Sequence, residues 1–359
     1  MSHVVNNLLS ESIYQPLEKL KEFFNSNYKD TTQFFILVDD HTFEHCLPIL
    51  LDKFRILEKV NIIIVESGEN NKTIKTCERI WNELAAHNTE RQDTLFINLG
   101  GGVVCDLGGF AAATFKRGID FINIPTTLIS MADASIGGKT GVNFNSIKNM
   151  IGVFAHPKCV FIHHDFLKSL ERRQIVSGMA EILKHGLIAD RELWNKCINI
   201  KDIMTEELSN IIYESLKIKQ SIVVQDEMDR GIRNTLNFGH TIGHALESYS
   251  MIHDEMPITH GEAVASGMIM ETFIANQMRI LSDSDFQSIK TGILRFFMPY
   301  KMNTKGISEL ISLMANDKKN QQESINIQML HAIGVMPQKS YHKKEIIYDS
   351  LNNYLSLQH

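Results

Sequence analysis

Cysteine, proline and long apolar runs are all scarce in this 359-residue chain. The five cysteines (Cys46, Cys77, Cys105, Cys159 and Cys197) are odd in number and widely spread, with no Cys-x-x-Cys pair. That pattern argues against a disulfide framework or a zinc knuckle, and a reducing cytoplasm fits it. No apolar run approaches the ~20 residues needed to cross a bilayer. Met1–Lys19 mixes Asn, Ser and Glu with its apolar residues and lacks the basic-then-apolar order of a targeting segment. A basic excess is missing too: 36 Lys+Arg against 42 Asp+Glu give a net charge of -6, which speaks against nucleic acid as a whole-surface partner. What remains, 43% hydrophobic and 22% charged, can build a sizeable core, and the length suggests two domains sharing a cleft.

The first half alternates. Short apolar runs at Phe34–Val38, Ile62–Val65, Leu95–Leu99, Phe121–Ile124 and Val160–Ile162 are rich in β-branched and aromatic residues and bounded by polar segments. Runs apolar on both faces suit a buried parallel sheet, and the helical composition of Lys75–Ala86 and Asp106–Phe115 completes βαβ units. After Pro157 no proline occurs until Pro257, and Val176–Ile188, Glu206–Val224 and Thr241–Tyr249 carry apolar residues at helical spacing. An α/β, Rossmann-like domain over residues 1–168 and an all-α domain over 169–359 are therefore expected.

A glycine-rich turn, Gly100-Gly101-Gly102 through Asp106 to Gly108-Gly109, follows the third strand. Glycines there let backbone N–H groups approach a pyrophosphate at a helix N-terminus, although a tight structural turn would use the same residues. Asp39-Asp40 could hold ribose hydroxyls, and Ser67-Gly68-Glu69 with Lys72 follows the second strand. In Asp133–Asn143, glycines flanking Lys139 suggest an ammonium group at a backbone-lined anion site, with Lys148-Asn149 close behind. His240 and His244 share a helix face at i, i+4, His260-Gly-Glu262 opens another helix, and Glu181 lies near Lys184 and His185. Two or three histidines with one carboxylate make a catalytic zinc set. His-x-x-x-His lacks the glutamate of the metalloprotease motif, which demotes protein hydrolysis. Arg117, Lys139, Lys148, Lys184, Lys219 and Arg233 point to an anionic substrate. Lys318-Lys319 by itself reads as solvated surface.

Together, Gly100–Gly109, Ile124-Pro-Thr126-Thr127, Asp133–Asn143, Ala180–Lys184, Asn237-Phe-Gly-His240-Thr-Ile-Gly-His244-Ala and His260-Gly-Glu262-Ala-Val closely resemble the 3-dehydroquinate synthases, in order and over nearly the whole chain. The resemblance implies a Rossmann-like domain and a helical domain, NAD, a divalent metal (usually zinc, with cobalt as a substitute) and a homodimer. It also implies conversion of 3-deoxy-D-arabino-heptulosonate 7-phosphate into 3-dehydroquinate and phosphate, through transient oxidation by NAD, phosphate elimination, re-reduction and intramolecular aldol closure. By motif, the family's metal ligands fall on Glu181, His240 and His260, with His244 facing substrate. Substrate contacts fall on Asp133, Lys139, Asn149, Lys184, Lys219, Arg233, Asn237 and His244. Arg117 matches an arginine that reaches the neighbouring subunit's substrate, and Lys318-Lys319 matches an Asp-Lys-Lys motif, which brings Lys319 into the site. NAD contacts fall on Asp40, Glu69, Lys72, Gly101, Gly102, Val103, Asp106, Thr126, Thr127, Lys139 and Lys148. Two departures stand out: Cys105 where many members have glycine, and Leu170-Glu171-Arg172-Arg173-Gln174 without the usual proline and acidic residue. They bear on NAD affinity and the domain junction rather than on the metal ligands. The competing readings are a cyclase acting on another phosphorylated sugar, a metal-dependent alcohol dehydrogenase of the glycerol dehydrogenase type, and a catalytically silent NAD-binding module.

Overall fold

The computed structural model describes residues 14–29, 32–57, 59–145, 147–300, 306–315 and 324–356. The chain divides into two compact units, Met1–Glu171 and Arg172–His359.

Along the first unit run β1 (Tyr14–Pro16), α1 (Leu20–Asn27), β2 (Gln33–Asp39), α2 (Asp40–His45), α3 (Leu47–Lys53), β3 (Asn61–Val65), α4 (Ile74–Ala86), β4 (Thr94–Gly100), α5 (Gly102–Thr114), β5 (Asp120–Pro125), β6 (Lys139–Phe144), β7 (Ile147–Phe154) and β8 (Val160–Ile162). Six of these strands form a parallel sheet in the order β1-β8-β5-β4-β2-β3. Central β4 is buried at every residue, which is why its sequence is apolar on both faces. Phe35, Leu37 and Phe96 pack with Ile80 and Leu84 of α4 and with Leu107 and Ala111 of α5. Each of the Phe, Leu and Ile side chains contributes roughly 1.5–3 kcal/mol by leaving water. The expectation of burial on both faces fails at β3. This strand is the sheet edge, Ile62 and Ile64 are 40% and 43% exposed, and only Ile63 and Val65 turn inward.

β6 and β7 pair as an antiparallel ribbon apart from the sheet. This ribbon occupies the stretch that reads in sequence as a glycine loop around a lysine.

The second unit contains α6 (Arg172–Ala189), α7 (Arg191–Asn199), α8 (Glu206–Gln225), α9 (His240–His253), α10 (His260–Gln277), α11 (Asp283–Leu294), α12 (Gly306–Ala315), β9 (Ser324–Met329), β10 (Gln338–Lys343) and α13 (Lys344–Leu355). It is helical, as expected, with one addition: β9 and β10 form an antiparallel hairpin. Helix α10 is buried from Ala263 to Thr272 and packs against α6, α9, α11 and α13. An apolar surface on all sides is what a central helix requires. Its first residue is His260, and the helices beside it carry Glu181 and His240. Among the described residues no helix is long and apolar enough to cross a membrane.

Candidate active site

In the first unit the expected cofactor residues gather at the carboxyl ends of the parallel strands, where open α/β sheets bind ligands. Gly101 caps α5 just after β4 and Gly102 is that helix's first residue, both half-buried, and Val103 and Asp106 follow on its first turns. Thr126, just past β5, donates its N–H to the Gly100 carbonyl (3.0 Å), and the Thr127 N–H donates to Ser130 Oγ (3.1 Å). The glycine motif divides by task. A Cβ on Gly108 would lie 1.9 Å from Asn98 Oδ1, so Gly108 serves the packing of helix on sheet, whereas Gly101 and Gly102 remain accessible. The acidic pair divides as well. Asp39 caps α2 by accepting from the Thr42 N–H (2.7 Å), and Asp40 accepts from the Ser67 N–H (2.8 Å).

Lys72 is buried, and its Nζ donates to Asp106 Oδ2 (2.6 Å) and Asn149 Oδ1 (2.5 Å). Asn143 fastens the β6–β7 ribbon to the same turn. Its Nδ2 donates to Glu69 Oε1 (2.9 Å), its N–H to the Lys72 carbonyl (2.8 Å), and its Oδ1 accepts from the Asn149 N–H (2.9 Å). Glu69, Lys72, Asp106 and Asn149 therefore form one network, and Asn143, its organiser, closes the Asp133–Asn143 motif but was assigned no role there. Lys148 and Asn149 sit near the ribbon's turn. Exposed Lys139 lies at the ribbon's other end, opposite Phe154. Asp133 is half-buried in a π-helical turn, Ser130–Ala134. Arg117 stands apart: it follows the C-terminus of α5, whose 13 residues span about 20 Å from the glycine turn at the other end. It is exposed, with φ of +64°. Cys105 turns into the protein, 1% exposed, so its side chain fills interior space beside the glycine turn.

The second unit brings a carboxylate and imidazoles together. Glu181, on α6 and 1% exposed, has Oε1 3.2 Å from His260 Nε2 and 3.4 Å from His240 Nε2. Donors held 2.0–2.1 Å from a tetrahedral ion lie about 3.3 Å from one another, so this spacing is that of ligands to one metal. The tautomers agree. His240 Nδ1 donates to the Phe238 carbonyl (3.1 Å), which leaves the Nε2 lone pair toward Glu181. Burial, then the Lys184 charge, lowers the His240 pKa and keeps that ring neutral. An imidazole lone pair facing a carboxylate oxygen is a contact that a cation resolves. His244, one turn along α9, also places a nitrogen within 4.8 Å of those of His240 and His260. Its ring is exposed.

Three cations are deeply buried nearby in the sequence of this unit: Lys184 (1% exposed), Lys219 (4%) and Arg233 (4%). Lys184 Nζ donates to Glu181 Oε2, and Arg233 donates to the Glu227 carbonyl (2.7 Å). Burial would raise the Glu181 pKa, but the Lys184 ammonium against it outweighs burial and holds the carboxylate ionised. Asn237 ends a short helical turn, Ile232–Asn237, just before α9. Lys318 and Lys319 lie outside the described residues. Arg173, from the segment that departs from the family pattern, donates Nε to Glu262 Oε1 (3.0 Å) and Nη2 to Glu262 Oε2 (2.8 Å).

Sequence reading also passed over Glu247, whose Oε2 accepts from His260 Nδ1 at 3.3 Å. Its signal was present: His240, His244 and Glu247 fall at i, i+4 and i+7, one face of α9.

A parallel sheet with ligand-ready strand ends, and a helical unit carrying a carboxylate–imidazole cluster, define the dehydroquinate synthase-like class. Solved structures share this architecture. A 2-deoxy-scyllo-inosose synthase complexed with carbaglucose-6-phosphate, NAD+ and Co2+ matches with a TM-score of 0.80, 24% identity and 95% of both chains covered. A 2-epi-5-epi-valiolone synthase from Streptomyces hygroscopicus with NAD+ and Zn2+ bound gives 0.81 at 21% identity over 96% of both chains. A probable glycerol dehydrogenase from Sinorhizobium meliloti is more distant, at 0.63 and 13% identity, over 97% of this chain and 96% of that one. In sequence, residues 62–177 match the N-terminal and 178–320 the C-terminal family of 3-dehydroquinate synthase. The 3-dehydroquinate synthase of Parabacteroides distasonis is 39% identical over 94% of both chains. That of Clostridium botulinum is 38% identical over 89% of this chain and 90% of its own. The chain belongs to the 3-dehydroquinate synthase family.

Proposed function

We propose that the protein converts 3-deoxy-D-arabino-heptulosonate 7-phosphate into 3-dehydroquinate and inorganic phosphate, as a cytoplasmic homodimer. The observation that carries this reading is the convergence of buried Glu181 with His240 and His260, Lys184 alongside, in a chain of this family. The first unit, taken as residues 1–168, holds NAD through Asp40, Glu69, Lys72, Gly101, Gly102, Val103, Asp106, Thr126, Thr127, Lys139 and Lys148. The second, 169–359, holds zinc or cobalt through Glu181, His240 and His260. When bound, NAD supplies a hydride acceptor and the metal supplies Lewis acidity at the hydroxyl to be oxidised.

The protein's own groups then bind, orient and shield. Arg233, planar and buried, suits the substrate carboxylate through two parallel hydrogen bonds. Lys139, Asn149, Lys184 and Lys319 hold the phosphate, and Arg117 reaches the phosphate of the neighbouring subunit. Asp133, Lys219, Asn237 and His244 hydrogen-bond the hydroxyls, His244 from the exposed side of the imidazole cluster. Removing one desolvated cation partner of such a dianion costs about 2–5 kcal/mol of binding.

The test is phosphate release from the heptulosonate phosphate with NAD well below the substrate concentration. Many turnovers per NAD, without NADH accumulation, are expected; stoichiometric NADH would favour the dehydrogenase chemistry of the more distant structural relative. Chelation should abolish release and added zinc or cobalt restore it. Activity that survives thorough metal removal would sink the metal assignment, and preference for a phosphorylated sugar lacking a carboxylate would sink the role of Arg233.

A further inference from the structure

The two histidines beside Glu181 are held by different means. His240 leans on main chain, the Phe238 carbonyl, a partner that no side-chain substitution there removes. His260 is held at two levels. Its backbone is set by the capping box of α10: Thr259 Oγ1 accepts from the Glu262 N–H (3.3 Å) and Glu262 Oε2 accepts from the Thr259 N–H (2.7 Å). That cap fixes the helix start and leaves the ring free to rotate about χ1 and χ2. The ring is fixed by Glu247, whose carboxylate meets Nδ1 while Nε2 faces Glu181 at 3.2 Å. The Glu247 side chain is 15% exposed, dry enough for its charge to act on the imidazole with little screening.

We infer that Glu247 is a positioning residue for the metal, a carboxylate that holds the His260 ring and makes its Nε2 a stronger donor. The inference rests on the metal site proposed above. A carboxylate behind a ligating imidazole fixes its tautomer and raises its basicity, and losing it typically weakens metal binding about 10–100-fold. Two rings of one site thus carry unlike supports: a neutral dipole behind His240 and a full charge behind His260. Glu247 shares a face of α9 with His240, so one helix supplies a ligand and the support of the ligand on α10.

The full chain, stripped of metal, would be titrated with zinc against a competing chelating dye, as wild type, Glu247→Gln and Glu247→Ala. Glu247→Gln keeps an oxygen for Nδ1–H and loses the charge; it should bind zinc about tenfold more weakly, and Glu247→Ala up to about a hundredfold. The visible spectrum of the cobalt-loaded variants should shift, and unfolding of metal-free Glu247→Gln should match metal-free wild type, a pattern that a merely structural role would not give. Wild-type zinc affinity and cobalt spectrum in Glu247→Gln would overturn the inference. Undiminished zinc binding in Glu181→Ala would instead overturn the site on which it rests.

Discussion

Glu271, on α10, is a carboxylate with no exposure, held by backbone N–H groups rather than by a charged partner. Its Oε2 accepts from the Gly239 N–H (2.9 Å), and a backbone N–H of Gln328 also points at the carboxylate. Gly239 has φ of +77°, and a Cβ there would lie 2.5 Å from Met268 Cγ, so Glu271 clamps a corner that only glycine can make, one residue before His240. Burial pushes the Glu271 pKa up to about 8, against those N–H groups. An acid whose pKa is raised on folding contributes its full stability below its unfolded value, near 4.5, and loses it as the pH rises to about 8. Unfolding free energy of the metal-free protein should therefore fall across that window by as much as about 1.4 kcal/mol per pH unit, and Glu271→Gln should flatten the slope. Parallel curves for the two proteins, from urea unfolding at pH 6 and pH 9, would refute this. At this scale the sequence was legible where motif and geometry coincide, at Glu181, His240 and His260. Glu271 and Glu247 were not, because a glutamate inside a helix reads as surface until the packing around that helix is known.

Among elements, the start of α10 concentrates most on one turn. Thr259 caps it, Glu262 closes the box, and Arg173 at the start of α6 grips Glu262 from outside. Gly261 N–H donates to Ser177 Oγ (3.0 Å), which locks α10 onto α6 and so sets His260 against Glu181. Thr259→Ala should cost about 1 kcal/mol of stability, the usual worth of such a cap, seen as a lower urea midpoint with unchanged slope. Thr259→Ser, which keeps the oxygen, should restore most of it, and equal losses in both would mean that the methyl rather than the cap matters. Five of the six sheet strands and the long helices α4, α5, α6, α8 and α9 were foreseeable from their apolar runs and spacing, whereas β1, three residues ending in Pro16, carries no such signal. The ribbons were not foreseeable. Lys139–Phe154 is glycine-bearing and largely exposed, so no buried face imprints an alternation on β7. In β9, by contrast, Ile325, Ile327 and Met329 alternate with polar residues and are buried, a period-two signal that the helical texture upstream obscured.

For the whole molecule, a net charge of -6 sums every charged side chain wherever it lies and says little about the cations that matter, since Lys184, Lys219 and Arg233 are buried and Lys72 is enclosed by Asp106 and Asn149. Arg117 stands apart from the other expected site residues of its own unit. It sits at the end of α5 opposite to the glycine turn, exposed, in a corner where Lys116, Arg117 and Gly118 all have positive φ (+46°, +64° and +107°). Two consecutive non-glycine residues in that conformation are strained, by about 1–2 kcal/mol each, and such strain persists where surrounding structure imposes it. The corner aims an arginine outward, about 20 Å from its own cofactor turn. If that arginine completes the site of a second copy, each active site of a homodimer takes Lys139 from one chain and Arg117 from the other. Arg117→Ala and Lys139→Ala homodimers would then both be inactive, while a mixed dimer would contain one site with both residues intact and one with neither. Random re-association of equal amounts should yield about half mixed dimers, and so recover about a quarter of wild-type phosphate release from two inactive proteins. An arginine acting within its own chain gives no intact site in any pairing, so a mixture as inactive as its parents would place Arg117 outside the neighbouring site.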